Sequence, residues 1–435
     1  MNIIYATPEC FPYTSISNGL SHLVFSLSRE VEKQGHNVKI FLPRYGSIDV
    51  SNFLIEKLPS DFHVSFDSQN IQFAVYKGIL SNSLVSIFLL DSQNYFACSK
   101  EIYLGGEEDI KRFNFFSQAV WAAISKLGLE IDLIHAFNPH AAFCIPGSLK
   151  KASSFFTLYN MPEKTDRFYD MTRKAISSSF VTCVSRKNIK DSFELVECGI
   201  DKALYNPESD TEIVQNYSKG YFSLGKRKCK EDLLELLELE NDVHIPIFMV
   251  VLQSDENLDV LISSLKELLH FNLSLVLFGE PDSLYKQELQ RLMTEYKNLR
   301  LLSSNDHGLL KKIYAGSDFL LLINEKETSA IPVLIGARYG TVPVAYINTG
   351  APDVINDVDL TSHANGILFE EPTEEGLLTA VKRALTCYRD NQLWTKLVKE
   401  VMNLDYDIAE TSKKYLDLYK HIMEKSHFPK TVAAE

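Results

Sequence analysis

Positive charge is in short supply in this chain. Its 435 residues carry 44 Lys and Arg against 57 Asp and Glu, a formal net charge of −13. Nucleic acid and anionic membrane surfaces are bound through clustered cations, so neither is expected as the main partner. A small anionic ligand stays open, because free amides at a helix start can hold phosphate even in an acidic protein. The seven cysteines (Cys10, Cys98, Cys144, Cys183, Cys198, Cys229 and Cys387) are odd in number and scattered, with no C-x-x-C pair. That reads as reduced thiols of a cytoplasmic protein rather than a disulfide framework. No apolar run approaches the roughly 18 residues that cross a bilayer, and MNIIYATPEC reads as a strand entering a loop rather than a signal peptide. Internal repeats and low-complexity tracts are missing. So is a dinucleotide fingerprint, which needs three spaced glycines where SISNGL supplies one.

What is present is an alternation of short apolar strands and amphipathic helices. Hydrophobic residues make up 45% and charged residues 23% of the chain, enough for ordinary cores in the two or three domains this length suggests. Asn2–Ala6 reads as a strand. Gly19 opens a helix with Leu20, Leu23, Val24, Leu27 and Val31 on one face, and Val38–Leu42 completes a βαβ unit. A hairpin is expected from Ile71–Tyr76 and Leu84–Leu90, a long helix over Glu107–Leu127, and a buried strand over Asp132–Ala136. A helix is expected over Ile189–Val196. Turn chemistry at Pro207–Asp210 marks a linker, and the run Lys226–Lys230 reads as a solvated basic face. Alternation then resumes and closes on a long helix over Asp407–Glu424. The expected division is an N-terminal domain over 1–208, a C-terminal domain over 209–406, a terminal helix over 407–425 packing back on the first domain, and a frayed tail over 426–435. The expected fold class is α/β: two doubly wound Rossmann-like domains facing a cleft, with ligands at the carboxyl ends of the strands.

Four strand ends carry candidate chemistry. Gly19 sits at a helix N-terminus next to strand ends, where its amide either holds phosphate or simply eases tight packing. His140 follows a strand and starts a helix, as a sugar-binding or a structural histidine. His135 lies five residues earlier and so on another face, which argues against a metal pair. The stretch Asn324–Asp353 follows the apolar run Phe319–Ile323 and places Glu325 and Glu327 in one loop and Thr349-Gly350 in a second, both at strand ends.

Several segments in register resemble bacterial glycogen synthases and plant starch synthases over almost the full length. Pro8-Glu9-Cys10 with Gly19-Leu20 resembles the family's opening, and Leu42–Gly46 its second-strand end. His135–His140 is similar to the H-A-H-D-W-H segment, and Gly199–Asp201 with Asn206-Pro207 to the G-I-D…N-P turn. Arg338–Pro343 matches R-Y-G-T-x-P, while Phe369–Thr373 and Tyr415–Tyr419 match the C-terminal part. The resemblance implies the GT-B architecture and a retaining transfer of glucose from ADP-glucose to the non-reducing end of an α-1,4-glucan. Neither metal nor other cofactor is implied. It implies Glu327 and His140 at the sugar, with Asn18, Gly19, Thr349 and Gly350 around the donor.

The departures fall on the cations. A transferase of this type meets its leaving diphosphate with fixed positive charge and N–H dipoles. Here the family's lysine in K-x-G-G-L becomes Ile16, or Ser15 if a gap is allowed, and the Arg and Lys of R-L-x-x-Q-K-G become Val251 and Glu256. The glutamine of E-P-C-G-L-T-Q becomes Val333. Arg44 and Lys226 are the candidates for substitute cations. Three readings follow: a synthase-type transferase with a weakened donor site, a non-catalytic homologue binding glucan or a true synthase, and a transferase with a changed donor.

Overall fold

The computed structural model describes all residues except 15–18, 146–151, 163, 189–192, 253–257, 282 and 428–435. The chain divides into two compact units. The first holds Met1–Thr14, Leu20–Glu197 and the segment from Ile408 onward; the second holds Gly19 and Cys198–Asp407.

The first unit runs β1 (Asn2–Ala6), α1 (Gly19–Lys33), β2 (Asn37–Pro43), β3 (Ile55–Lys57), β4 (Phe62–Phe66), β5 (Gln69–Ile79) and β6 (Ser86–Asp91). It continues through α2 (Gly106–Lys126), β7 (Leu133–Phe137), α3 (Asn138–Ala141), β8 (Ser153–Leu158), α4 (Phe168–Ser178), β9 (Phe180–Cys183) and β10 (Glu194–Leu195). Among the described residues the sheet order is β10-β9-β8-β7-β1-β2-β6-β5-β3, with β4 also on β5. The strands from β10 to β6 are parallel, and β5 turns back antiparallel, pairing Ile79 with Ser86 across the expected hairpin. The parallel strands are buried on both faces, which is why β7 reads as an unbroken run, LIHAF. β4 alternates instead, with Phe62, Val64 and Phe66 turned inward. The helix expected over Ile189–Val196 is not found: residues 189–192 lie outside the described part, and Glu194–Leu195 is a short parallel strand on β9.

The second unit runs α5 (Phe222–Leu236), β11 (Ile247–Val251), α6 (Leu258–His270), β12 (Ser274–Phe278), α7 (Ser283–Glu295), β13 (Leu299–Leu302) and α8 (His307–Gly316). Then follow β14 (Phe319–Leu322), α9 (Ile331–Arg338), β15 (Val342–Tyr346), β16 (Ile367–Phe369), α10 (Glu374–Arg389) and α11 (Asn391–Val401). Its described strands are all parallel, in the order β13-β12-β11-β14-β15-β16. Numbered within the unit this is the doubly wound order 3-2-1-4-5-6.

The chain passes into the second unit at Cys198, ahead of the Pro207–Asp210 turn expected as the linker. That turn is bound to the second unit by the R-Y-G-T segment. Arg338 Nε donates to Tyr205 O at 3.2 Å, the Tyr339 hydroxyl donates to the Asp210 carboxylate, and the Tyr217 hydroxyl donates to Tyr339 O at 2.9 Å. The last helix, α12 (Ile408–His427), belongs to the first unit and lies on β8. Among the described residues, no helix is long and apolar enough to cross a membrane.

Candidate functional site

In a doubly wound sheet the ligand-binding loops leave the strands flanking the point where strand order reverses. In the first unit those strands are β1 and β7. The loop after β1 presents Glu9, 1% exposed, whose Oε1 accepts from the Tyr103 hydroxyl at 2.5 Å. Thr7 braces this loop, donating to Glu9 O at 2.7 Å and accepting from Glu9 N at 3.2 Å. Tyr103 as a whole is 37% exposed, but desolvation of its hydroxyl, with the Glu9 charge beside it, raises its pKa above the ordinary value, so the phenol keeps its proton for Glu9.

After β7, Asn138 adopts a left-handed conformation (φ 64°) and α3 then carries His140. The imidazole lies among Tyr103, Phe168 and Phe113, with ring centroids at 4.4, 4.5 and 4.8 Å. Burial, and secondarily the positive charge of Arg112, push its pKa down to about 3. The ring is therefore neutral near pH 7. Its Nδ1 is buried, with no partner among the described residues. Arg112 is committed elsewhere: Nη1 meets Asp109 at 2.8 Å and Nε donates to Tyr95 O at 2.6 Å. Glu9 and Asn138 stand inside segments that the sequence singles out. Tyr103 comes from the unpatterned loop before α2 and carries no local signal.

In the second unit the reversal falls between β11 and β14. Glu327 follows β14 and is 2% exposed. Its Oε1 accepts from Ser329 N at 3.1 Å and Ser329 Oγ at 2.7 Å, and its Oε2 from the amide of Gly19, which groups with this unit, at 3.0 Å. The loop after β15 packs directly on this one: Gly350 N donates to Glu327 O at 2.9 Å. A Cβ on Gly350 would stand 2.3 Å from Thr328 O and from Ser329 C, so only glycine fits. Thr349 Oγ1 donates to Tyr346 O at 2.8 Å and accepts from Ala351 N at 3.2 Å. The structure thus gathers Glu327, Gly19, Thr349 and Gly350. It also shows the Gly350 amide and the Thr349 hydroxyl engaged within the loops.

Of the positions where cations are expected, Val251 is the buried last residue of β11, and Ile16 and Glu256 lie outside the described residues, as does Asn18. The substitute cations are engaged. Arg44 Nη1 is 3.6 Å from Asp91 Oδ1. Lys226, 7% exposed, points its ammonium at the main chain, donating to Ser317 O at 2.6 Å, Tyr339 O at 3.1 Å and Ala315 O at 3.3 Å. The expected solvated basic face is therefore half buried. Lys230 pairs with buried Asp318 at 2.7 Å, and only Arg227 and Lys228 reach solvent, beside Glu231. No cluster of three or more metal-ligating side chains occurs among the described residues.

Comparison with known proteins agrees with this geometry. Residues 2–202 match the starch synthase catalytic domain family, and residues 227–400 match the group 1 glycosyl transferases. Glycogen synthases of Bacillus cytotoxicus and Clostridium novyi are each 26% identical, aligned over 98% of this chain and 100% of their own length. The chain belongs to the glycogen/starch-synthase-like glycosyltransferases. This synthase-like chain shares its fold with the catalytic domain of starch synthase IV from Arabidopsis thaliana, a structure bound to ADP and acarbose. The TM-score is 0.83 at 21% identity, covering 98% of this chain and 99% of that one. A sucrose-phosphate synthase from Thermosynechococcus elongatus matches with a TM-score of 0.67 at 12% identity, over 98% of this chain and 100% of that one. Both are GT-B glycosyltransferases in fold, as the synthase-like chain is.

Proposed function

We propose that this synthase-like chain transfers glucose from ADP-glucose to the non-reducing end of an α-1,4-glucan, with weak grip on the donor diphosphate and correspondingly slow turnover. The observation that carries the reading is Glu327: a buried carboxylate at the strand-order reversal of the second unit, held by Ser329 N, Ser329 Oγ and Gly19 N. A carboxylate fixed in this way suits the hydroxyls of a donor sugar. His140, neutral and packed among aromatic rings, suits a sugar contact and the orientation of the anomeric carbon. Support from relatives comes from the glycogen synthases at 26% identity and from the fold of the ADP- and acarbose-bound starch synthase. All seven cysteines are free thiols, which fits a reducing cytoplasm.

Slow turnover follows from charge. Removing one preorganised donor to a developing anion commonly costs about 3–4 kcal/mol, or 10²- to 10³-fold in rate. Val251 is an aliphatic side chain where the resemblance implies an arginine, and Lys226 and Arg44 are engaged elsewhere. The test is transfer of labelled glucose from ADP-glucose to a glycogen primer, by the intact chain and by Glu327→Ala. Slow incorporation that falls at least about a hundredfold in the variant supports the reading. Equal rates remove Glu327 from the mechanism. The same engaged cations favour a second reading, a non-catalytic glucan-binding homologue. Calorimetry separates the two: glucan binding without measurable ADP binding selects the second, and micromolar ADP affinity rejects it.

A further inference from the structure

His135 takes no part in the site described above, yet both of its ring nitrogens are bonded. Its Nδ1 is 2.6 Å from the Tyr419 hydroxyl and its Nε2 is 2.7 Å from Thr157 Oγ1. Tyr419 continues to the Tyr5 hydroxyl at 3.2 Å, and Thr157 to Thr182 Oγ1 at 2.8 Å and the Tyr415 hydroxyl at 3.1 Å. One ring thus joins β1, β7, β8 and β9 to two successive turns of α12. The chain holds a self-consistent set of protons for this network. With Nε2 protonated, Tyr5 donates to Tyr419 and Tyr419 donates to Nδ1, while Thr157 accepts from Nε2 and Tyr415 and donates to Thr182.

We propose that His135 is an acid-sensitive latch holding α12 on the sheet of the first unit. Its surroundings explain why. The groups facing the ring are Tyr5 from β1, Phe137 from β7, Phe155 and Thr157 from β8, and Tyr415 and Tyr419 from α12. The titratable members are tyrosines, and burial holds Tyr5 and Tyr419 above their ordinary value, hence neutral. No carboxylate is among these neighbours to stabilise an imidazolium. Burial alone drives the His135 pKa well below its ordinary value. A second ring proton would be an uncompensated buried charge, and it would also remove the acceptor that Tyr419 uses. Other bonds between α12 and the rest of the first unit do not involve a histidine: Gln34 Nε2 to Ser412 Oγ at 2.7 Å, Thr411 Oγ1 to Glu197 O at 2.9 Å, and an exposed Lys414–Glu197 pair at 3.9 Å.

The direction with pH is fixed by linkage. With the docked pKa depressed and the released one near 6.5, the released state binds the proton. The His135 contribution to docking is therefore whole above about pH 6.5 and declines as pH falls below it. Between pH 7.5 and 5.5 the docking equilibrium should weaken about tenfold, above the range where carboxylates titrate. The test is hydrogen exchange on the full chain, corrected for intrinsic rates, comparing α12 with α10 of the second unit at pH 7.5, 6.5 and 5.5. Expected is a roughly tenfold loss of protection in α12, little change in α10, and a flat α12 profile in His135→Asn, which keeps a donor and an acceptor but does not titrate. A flat wild-type profile overturns the proposal. So does the same fall in His135→Asn, or an equal fall in α10. Should that variant not fold, the ring's own NMR titration decides: an imidazole that protonates near pH 6.5 while α12 stays protected refutes the latch.

Discussion

Replacing Lys226 by methionine is expected to destabilise the second unit by roughly 3 kcal/mol at pH 7, and by more as pH rises. The ammonium stands where α8 and α9 end, with Ser317 O, Tyr339 O and Ala315 O at 2.6, 3.1 and 3.3 Å and Thr341 Oγ1 at 3.4 Å. Two helix C-termini thus direct their carbonyl dipoles at one cation. Burial disfavours the charged form and lowers the lysine from its ordinary 10.5 to about 8 even with these carbonyls around it. What methionine forfeits is the donor itself: Ser317 O, Tyr339 O and Ala315 O lose their ammonium partner, and removing the partner of a buried acceptor costs about 1–3 kcal/mol. The pH dependence is the sharper signature. Between pH 8 and 10.5 the unfolded chain keeps a proton that the folded lysine has lost, so raising the pH favours the folded wild type and leaves the variant without that gain. The gap should widen by up to about tenfold in the unfolding equilibrium per pH unit across that window. Urea unfolding at pH 7, 8, 9 and 9.5 measures it. Trp394 in α11 reports the second unit, in a background where Trp121 of α2 is phenylalanine. Other titrations cancel in the difference between the two proteins. A gap that is flat or narrows from pH 8 to 9.5 would refute the buried-ammonium account.

Three further outcomes follow from the same geometry. Gly350→Ala should cost about 1–3 kcal/mol and displace the Glu327 loop, because the new Cβ would sit 2.3 Å from rigid main chain; unchanged stability in thermal unfolding would count against that packing. Tyr339→Phe removes the donor from the buried Asp210 carboxylate and should cost about 1–3 kcal/mol in urea unfolding, loosening the Tyr205–Tyr217 segment first. Val251→Arg should tighten ADP at least about tenfold by calorimetry and steepen its dependence on salt; an unaltered affinity would show that charge at this strand end is not what limits the donor.

Much of the fold was legible because it is local and repetitive. β11, β12, β14 and β15 are buried on both faces, so each is an unbroken apolar run, and α1 shows its inner face at helical spacing. What stayed illegible depends on partners far away in sequence. Lys226 and Lys230 look like any solvated basic run until Ser317, Tyr339 and Asp318 arrive from elsewhere in the chain. By composition the Pro207–Asp210 turn reads as a linker, yet Tyr339 and Arg338 bind that turn into the second unit. Of the candidate site, Glu327 and His140 could be named from their positions at strand ends. Tyr103 could not, since nothing around it marks a ligand group for Glu9.

The division between retained and replaced residues has a physical logic. The Arg338–Thr341 segment, one of the matching motifs, bonds its side chains to Tyr205, Asn206, Asp210 and Tyr314. It is framework, and it would be required whether or not a donor is ever bound. Glu327 and Gly350 are likewise built in: the carboxylate is bonded to Ser329, and the glycine is pressed against the Thr328–Ser329 main chain. Val251 is different. Under the proposed function this position would serve only to meet phosphate, and valine there completes the buried end of β11. Framework motifs therefore report membership of the synthase-like family, while the strand-end position reports what the donor would meet. Activity has to be judged on the second kind of residue, which is why restoring charge at Val251 is more informative than removing any group that also holds the fold together.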